Sequence, residues 1–169
     1  MHSQTTSVDQ LRDTLRRIRH LKGRQADETS LHEVRALIGH APHRRDLLIE
    51  HLHVLNDHYR GLFERHIVAL AAEMRVPVVE VFEVASFYHH FQILKDDQTA
   101  PVITVRVCNS LSCALAGAET LLAQVQREVG AQVQVLAAPC LGRCEQAPAA
   151  QVGQQAVAHA SPEKLKKLL

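Results

Sequence analysis

The chain has 169 residues, 46% hydrophobic and 22% charged, which is the composition of a globular protein with room for one ordinary domain or two small ones. Its formal net charge is +1 and only 4% of residues are aromatic, so neither a basic field nor a stacking platform favours nucleic acid. No apolar run approaches the roughly 18–20 residues of a membrane span, and the opening MHSQTTSVDQ lacks the apolar stretch of a secretory signal.

These exclusions lead to the expectation of a cytoplasmic protein, or one on the cytoplasmic face of a membrane complex. In a reducing compartment, four cysteines confined to residues 108–144 argue for a metal or redox site rather than for disulfides.

Residues 1–92 read as helical. Val8, Leu11, Leu15, Ile18 and Leu21 recur at helical steps behind a Ser7/Gln10 capping pair, and the basic residues from Arg12 to Arg24 are expected on a solvated face. Ser30 and Glu33 repeat the capping spacing before a short segment ending at Gly39. RRDLLIEHLHVLNDHY places Leu47, Leu48, Leu52, Leu55 and Tyr59 along one side, with Gly61 following. Phe63, Ile67, Leu70, Ala71 and Met74 then continue the pattern up to RVP. The valines of VVEVFEVASFYHHF favour a strand, but strict alternation fails. A helix groups Val78, Val81, Phe82, Ala85 and Tyr88, so a helix is expected.

After LKDDQTAP the composition changes. VITVRV is short and β-branched, as a strand should be. A helix is expected over 114–129, with Leu115, Ala118, Leu122 and Val125 on one side and Gly130 at its end. QVQVLA alternates as a second strand, AAQV and QAVAHA flank Gly153 as a hairpin, and SPEKLKKLL starts a final helix with Ser161 as cap. The expected fold class is α+β, a helical bundle followed by an α/β domain. Two strands joined by one helix should be parallel neighbours.

Cys108 would then end the first strand and Cys113 begin the next helix, while Cys140 and Cys144 occupy the loop after the second strand. Parallel neighbours release both loops from one edge of the sheet, so all four thiols could converge. Three fillings compete. Structural zinc usually uses tight Cys-x₂₋₄-Cys hooks, and neither the x₄ nor the x₃ spacing excludes it. A dithiol redox site would want Cys-x-x-Cys, which is absent. A [2Fe–2S] cluster spans farther than one ion and tolerates wider hooks, which gives it a modest lead on spacing. Gly142 would let the CLGRC backbone approach sulfur without a side chain in the way, Arg143 and Arg106 could add charge, and Pro139 and Pro148 stiffen the loop ends.

The motifs VCNSLSCALAG and CLGRCEQAP resemble those of the thioredoxin-like [2Fe–2S] ferredoxins, the 24-kDa subunit family of respiratory complex I. EVASFYHHF and RDLLIEHLHVLNDHYRGL are similar to that family's helical-domain signatures. The resemblance covers roughly residues 43–169. It implies an N-terminal helical extension over 1–42, a helical domain over 43–94 and a thioredoxin-like domain over 100–169. It also implies a [2Fe–2S] cluster held by Cys108, Cys113, Cys140 and Cys144, with Gly142 as supporting backbone.

Such members have no activity alone. They transfer electrons beside a flavoprotein that binds FMN and NAD(H), within a larger dehydrogenase complex. RRDLLIEHLHVLND resembles the NAD-dependent formate dehydrogenase versions most. VQVLAAP lacks the acidic residue and the Phe-Thr or Phe-Ser pair of many complex I members, which weighs against complex I itself; a NAD-reducing hydrogenase is the other alternative. The alternative of another class is a zinc-stabilised, non-redox partner-binding module.

Twelve histidines add a second temptation. His40, His43, His51, His53, His58 and His66 scatter over the helical half; His51 and His58 are two turns apart with no acidic partner on an obvious face. Ordinary surface or half-buried histidines are expected. No histidine lies in the cysteine loops, which excludes a Rieske arrangement, and no Gly-rich phosphate loop appears, so neither NAD nor FMN is expected on this chain.

Overall fold

The structure is a computed structural model that describes residues 23–169. The helix expected through Val8 to Leu21, with its Ser7/Gln10 cap and basic face, lies outside the described residues. Helix α1 spans Glu28–Ile38. Its cap is Asp27, not Ser30: one carboxylate oxygen accepts the Ser30 N–H at 2.8 Å and the other accepts the Ser30 hydroxyl at 2.8 Å. A carboxylate satisfies two donors and also faces the positive end of the helix, which a serine hydroxyl cannot match. Ser30 is buried in the first turn, and Glu33 reaches His66 instead of closing a capping box. The end at Gly39, with φ +57°, is as expected.

Helix α2 (Leu48–Tyr59) follows a single 3-10 turn at Arg45–Leu47 and buries Leu48, Leu52 and Leu55. It stops at Arg60, which takes the left-handed conformation, rather than at Gly61. Gly61 answers a different need: a Cβ there would stand 2.5 Å from Leu94 Cδ1. This close approach lets β1 (Leu62–Phe63) pair in parallel with β2 (Ile93–Leu94). Between them run α3 (Glu64–Met74) and α4 (Val78–Phe87). The helical reading of VVEVFEVASF is correct, but its buried stripe is narrow. Val81 and Ala85 are fully buried, while Val78, Phe82 and Tyr88 remain about two-fifths exposed. Val34, Leu52, Leu55, Leu62, Ile67, Leu70 and Val81 share one core, to which α1 contributes through Val34 and Ile38.

A second core belongs to a four-stranded sheet ordered β4-β3-β5-β6, made of β3 (Ile103–Cys108), β4 (Val133–Ala138), β5 (Ala150–Val152) and β6 (Gln155–Val157). β3 and β4 are parallel neighbours, and β5 and β6 form the expected antiparallel hairpin. The connection from β3 to β4 differs from expectation. It is two helices, α5 (Leu111–Leu115) and α6 (Ala118–Glu128), separated by Gly117 at φ +85°. That left-handed residue, open to glycine at little cost, turns the second helix relative to the first. Leu115 is consequently 82% exposed, and the buried face of α6 is Ala118, Leu121 and Val125. A last helix, α7 (Pro162–Lys166), is capped by Ser161 Oγ, which accepts the Lys164 N–H at 3.3 Å. The α+β class is therefore observed.

The two halves meet through β3. Val105 and Val107 pack into the sheet's own core, while Arg106 is buried and donates from Nη2 to the His90 carbonyl at 2.7 Å. Among the described residues no helix is long and apolar enough to cross a membrane. Gly61→Val forces the Leu94 side chain out of its place, and overpacking of this kind costs about 1–3 kcal/mol. A denaturant titration should show that loss as a lower midpoint with an unchanged slope.

Candidate metal centre

The last rung of the parallel pair joins Cys108 to Ala138, so the two cysteine loops leave the sheet side by side. The Asn109 N–H donates to the Ala138 carbonyl at 2.9 Å, carrying the pairing one residue past the strands. On the other side of β3, Ala149 lies between two of the cysteines. Its carbonyl accepts the Cys108 N–H at 3.0 Å, and its own N–H donates to Cys113 Sγ at 3.4 Å. Cys113 sits in the short helix α5, with Ser110 as its N-cap residue. Cys140 and Cys144 lie in the loop after β4, their Sγ atoms 3.6 Å apart, and the Gly142 N–H donates to Cys140 Sγ at 3.4 Å.

All four thiols are free. Cys108 and Cys113 are buried, whereas Cys140 and Cys144 are exposed. The Cys113 thiol acts to lower Cys108, and the Ser112 hydroxyl acts to lower Cys144, so the first loop bears on the second. Burial acts to raise Cys108. The amides of Ser110 and Leu141, helped by Cys113 and the Ser110 hydroxyl, outweigh it and hold this thiol below its ordinary range. Burial pushes Cys113 up, and the neighbouring Cys108 and Cys144 sulfurs add to the rise. Cys144 is raised chiefly by its neighbour Cys140. Two loops thus supply four sulfurs and several amide donors.

Spacing within the set is informative. Around a single tetrahedral zinc, all four sulfurs would lie about 3.8 Å from one another, given Zn–S bonds of about 2.3 Å. Among the described residues, no three of these sulfurs come within 4.8 Å of one another. Cys140 and Cys144 form a close pair with Sγ atoms 3.6 Å apart, and Cys108 and Cys113 influence each other's ionisation within the first loop. Such a set suits a two-iron cluster, in which each metal takes two thiolates and backbone N–H groups stabilise the sulfurs.

A family model described as thioredoxin-like [2Fe–2S] ferredoxin matches residues 34–169. The chain belongs to this family. The cofactor of the thioredoxin-like [2Fe–2S] ferredoxins is a [2Fe–2S] cluster, and the four-thiol donor set fits it. A subunit of the NADH-quinone oxidoreductase of Pseudomonas aeruginosa is 28% identical over 159 residues, covering 86% of this chain and 93% of the relative. The HndA subunit of an NADP-reducing hydrogenase from Solidesulfovibrio fructosivorans is 26% identical over 109 residues, or 59% of this chain and 61% of that relative. Among solved structures, a chain of an NAD⁺-reducing [NiFe]-hydrogenase in the air-oxidised state aligns at 18% identity with a TM-score of 0.47. That alignment covers 83% of this chain but only 21% of the hydrogenase chain.

The surroundings of the thiols are only partly those expected. Gly142 has φ +71°, a conformation that favours glycine, and a Cβ there would meet no protein atom within 4 Å. Arg106 is turned into the contact between the halves, and Arg143 bonds Gln146 within its own loop at 2.8 Å. The Ala149 amide and the Ser112 hydroxyl went unforeseen. Ser112 stands inside the CNSLSC motif itself, whereas Ala149 comes near only through the pairing of β5 with β3. His51 and His66 are core residues: His51 Nε2 donates to the Pro42 carbonyl at 3.2 Å, and His66 Nε2 meets Glu33 at 2.7 Å.

In the cluster-free chain, Cys140 and Cys144 should react rapidly with a maleimide, while Cys108 and Cys113 react roughly tenfold or more slowly because burial shields them. Mass mapping after brief labelling would check this order.

Proposed function

We propose that this chain is an electron-transfer subunit in which Cys108, Cys113, Cys140 and Cys144 hold a [2Fe–2S] cluster beside a flavoprotein that binds FMN and NAD(H). The two-pair arrangement of the thiols carries this reading, because a single zinc ion would require closer packing of all four sulfurs. When bound, the cluster takes up and releases one electron at a time. The chain's residues supply the rest. Cys108 and Cys113 anchor the buried side, with the Ala149 amide directed at Cys113. The Gly142 amide serves Cys140 on the side open to solvent. Leu111 and Leu115, on the helix that carries Cys113, are 76% and 82% exposed, which gives a partner protein an apolar contact beside the thiols.

The family relationship and the relatives within multi-subunit oxidoreductases support an NAD(P)H-linked role. Within that role we assign the chain to an NAD-dependent formate dehydrogenase, on the RRDLLIEHLHVLND stretch of residues 44–57. Purified chain should be red-brown and give a rhombic EPR signal on reduction. Cys140→Ser should remove or alter both signatures while the helical circular dichroism persists. A colourless protein with one tightly bound zinc overturns the redox reading. Isolation of the native complex tests the finer assignment: formate-dependent NAD⁺ reduction supports it, and quinone- or hydrogen-linked activity in its place replaces it.

A further inference from the structure

Away from the cysteine loops, the helical half brings together another set of donors. His53 and Asp57 are one turn apart on α2, at the i, i+4 spacing that places side chains on one face. His90 follows α4 and leads into β2. One ring nitrogen of each histidine and one oxygen of Asp57 lie within 4.8 Å of one another, and the two imidazole centroids are 4.9 Å apart. Among the described residues this is the one such group of His, Cys, Asp and Glu.

Two further observations point to a ligand. His90 Nε2 is buried without a hydrogen-bond partner, an arrangement that costs free energy unless something fills it. Asp57 Oδ1 accepts the Gln154 side-chain N–H at 3.0 Å, so a residue of the β5–β6 hairpin orients the carboxylate from the other half. Asp57, His90 and Gln154 line a cleft of about 300 Å³ between the two halves, with Arg60 and Arg106 also on its walls.

We propose that His53, Asp57 and His90 bind one divalent transition-metal cation of the zinc type, at a site separate from the four cysteines. Two imidazoles and one carboxylate are the borderline donors that such a cation takes, and three protein ligands leave a position for water. Gln154 plays the part of an outer hydrogen bond that fixes a ligating carboxylate. The nearby Arg60 and Arg106 charges oppose the cation, and the Asp57 carboxylate supplies compensating charge as a ligand. Because the ligands come from α2 and the segment after α4, and the orienting group from the hairpin, the bound cation fastens the helical half to the sheet.

The test is a Zn²⁺ titration of the iron-loaded full chain, with X-ray absorption at the zinc edge and thermal melting. The expected result is one zinc per chain in a shell of nitrogen and oxygen at about 2.0–2.1 Å, with a rise in Tm. Asp57→Asn, a near-isosteric change at an exposed position, and His53→Ala should each weaken binding by about tenfold or more, and Gln154→Ala by about 10- to 100-fold at most. Absence of stoichiometric binding, a zinc shell of sulfur at about 2.3 Å, or equal affinity in Asp57→Asn, His53→Ala and the parent chain overturns the proposal.

Discussion

The parallel pairing of β3 with β4 is the constraint on which the site depends. Parallel strands finish at the same edge, and here the final rung is Cys108 with Ala138. A loop that follows either strand therefore starts within a few ångströms of the other. No long-range code is needed to bring Cys140 near Cys113; the ladder does it. Pairing of β5 on the opposite side of β3 then delivers the Ala149 amide between Cys108 and Cys113. Three strands thus converge on the thiols, and Ala138 and Ala149 at the ends of two of them contribute backbone groups there.

The same strand also sets the relation between the halves. An edge or half-exposed strand would carry a polar residue outward, but Arg106 is enclosed by residues that follow α4. Burying a guanidinium requires partners, and the His90 carbonyl supplies one. Arg60 adds a second link, donating to the Val102 carbonyl at 3.2 Å, and Gln154 to Asp57 a third. These contacts are polar and sparse, unlike the two apolar cores on either side. The contact between halves is therefore held in part by directional bonds around a polar-lined cleft, the kind of place where a small ligand can act as an additional link.

Much of this was legible from residue patterns, and the failures share a cause. Among the described residues, helices with a strong apolar period, strands with β-branched runs and the hairpin around Gly153 are legible because local preference and tertiary burial agree there. The long helix expected after Cys113 breaks at Gly117, since a single glycine can take φ +85° without disturbing the periodicity on either side. Asp27 displaced Ser30 as a cap because both fit the composition, and only the three-dimensional bonds choose between them. The approach of the two cysteine loops could be anticipated from motif and topology together, yet the amides beside the thiols could not, since they depend on strand register. Among the histidines, His51 and His58 carry no acidic partner on a shared face, whereas His53 has Asp57 one turn on. His51 turned inward to the core, and the acidic partner lay four residues after the neighbouring histidine.

The division of the thiols into a buried pair and an exposed pair carries a functional consequence. A site closed on all sides would hold a metal tightly but would keep electrons from leaving. A fully open one would expose four reactive sulfurs to oxidation. Here Cys108 and Cys113 are packed into the second core, so the inner side is as rigid as the sheet that holds it. Cys140 and Cys144 lie exposed on the loop after β4, and the helix that carries Cys113 exposes Leu111 and Leu115. A partner covering that apolar rim would exclude water from the outer pair and bring its own redox group near at the same time. Solvent exposure and hydrogen bonds to sulfur both tune an iron–sulfur centre. Docking would then adjust the proposed cluster's potential as well as its distance from the donor, which couples assembly of the complex to electron transfer through one surface.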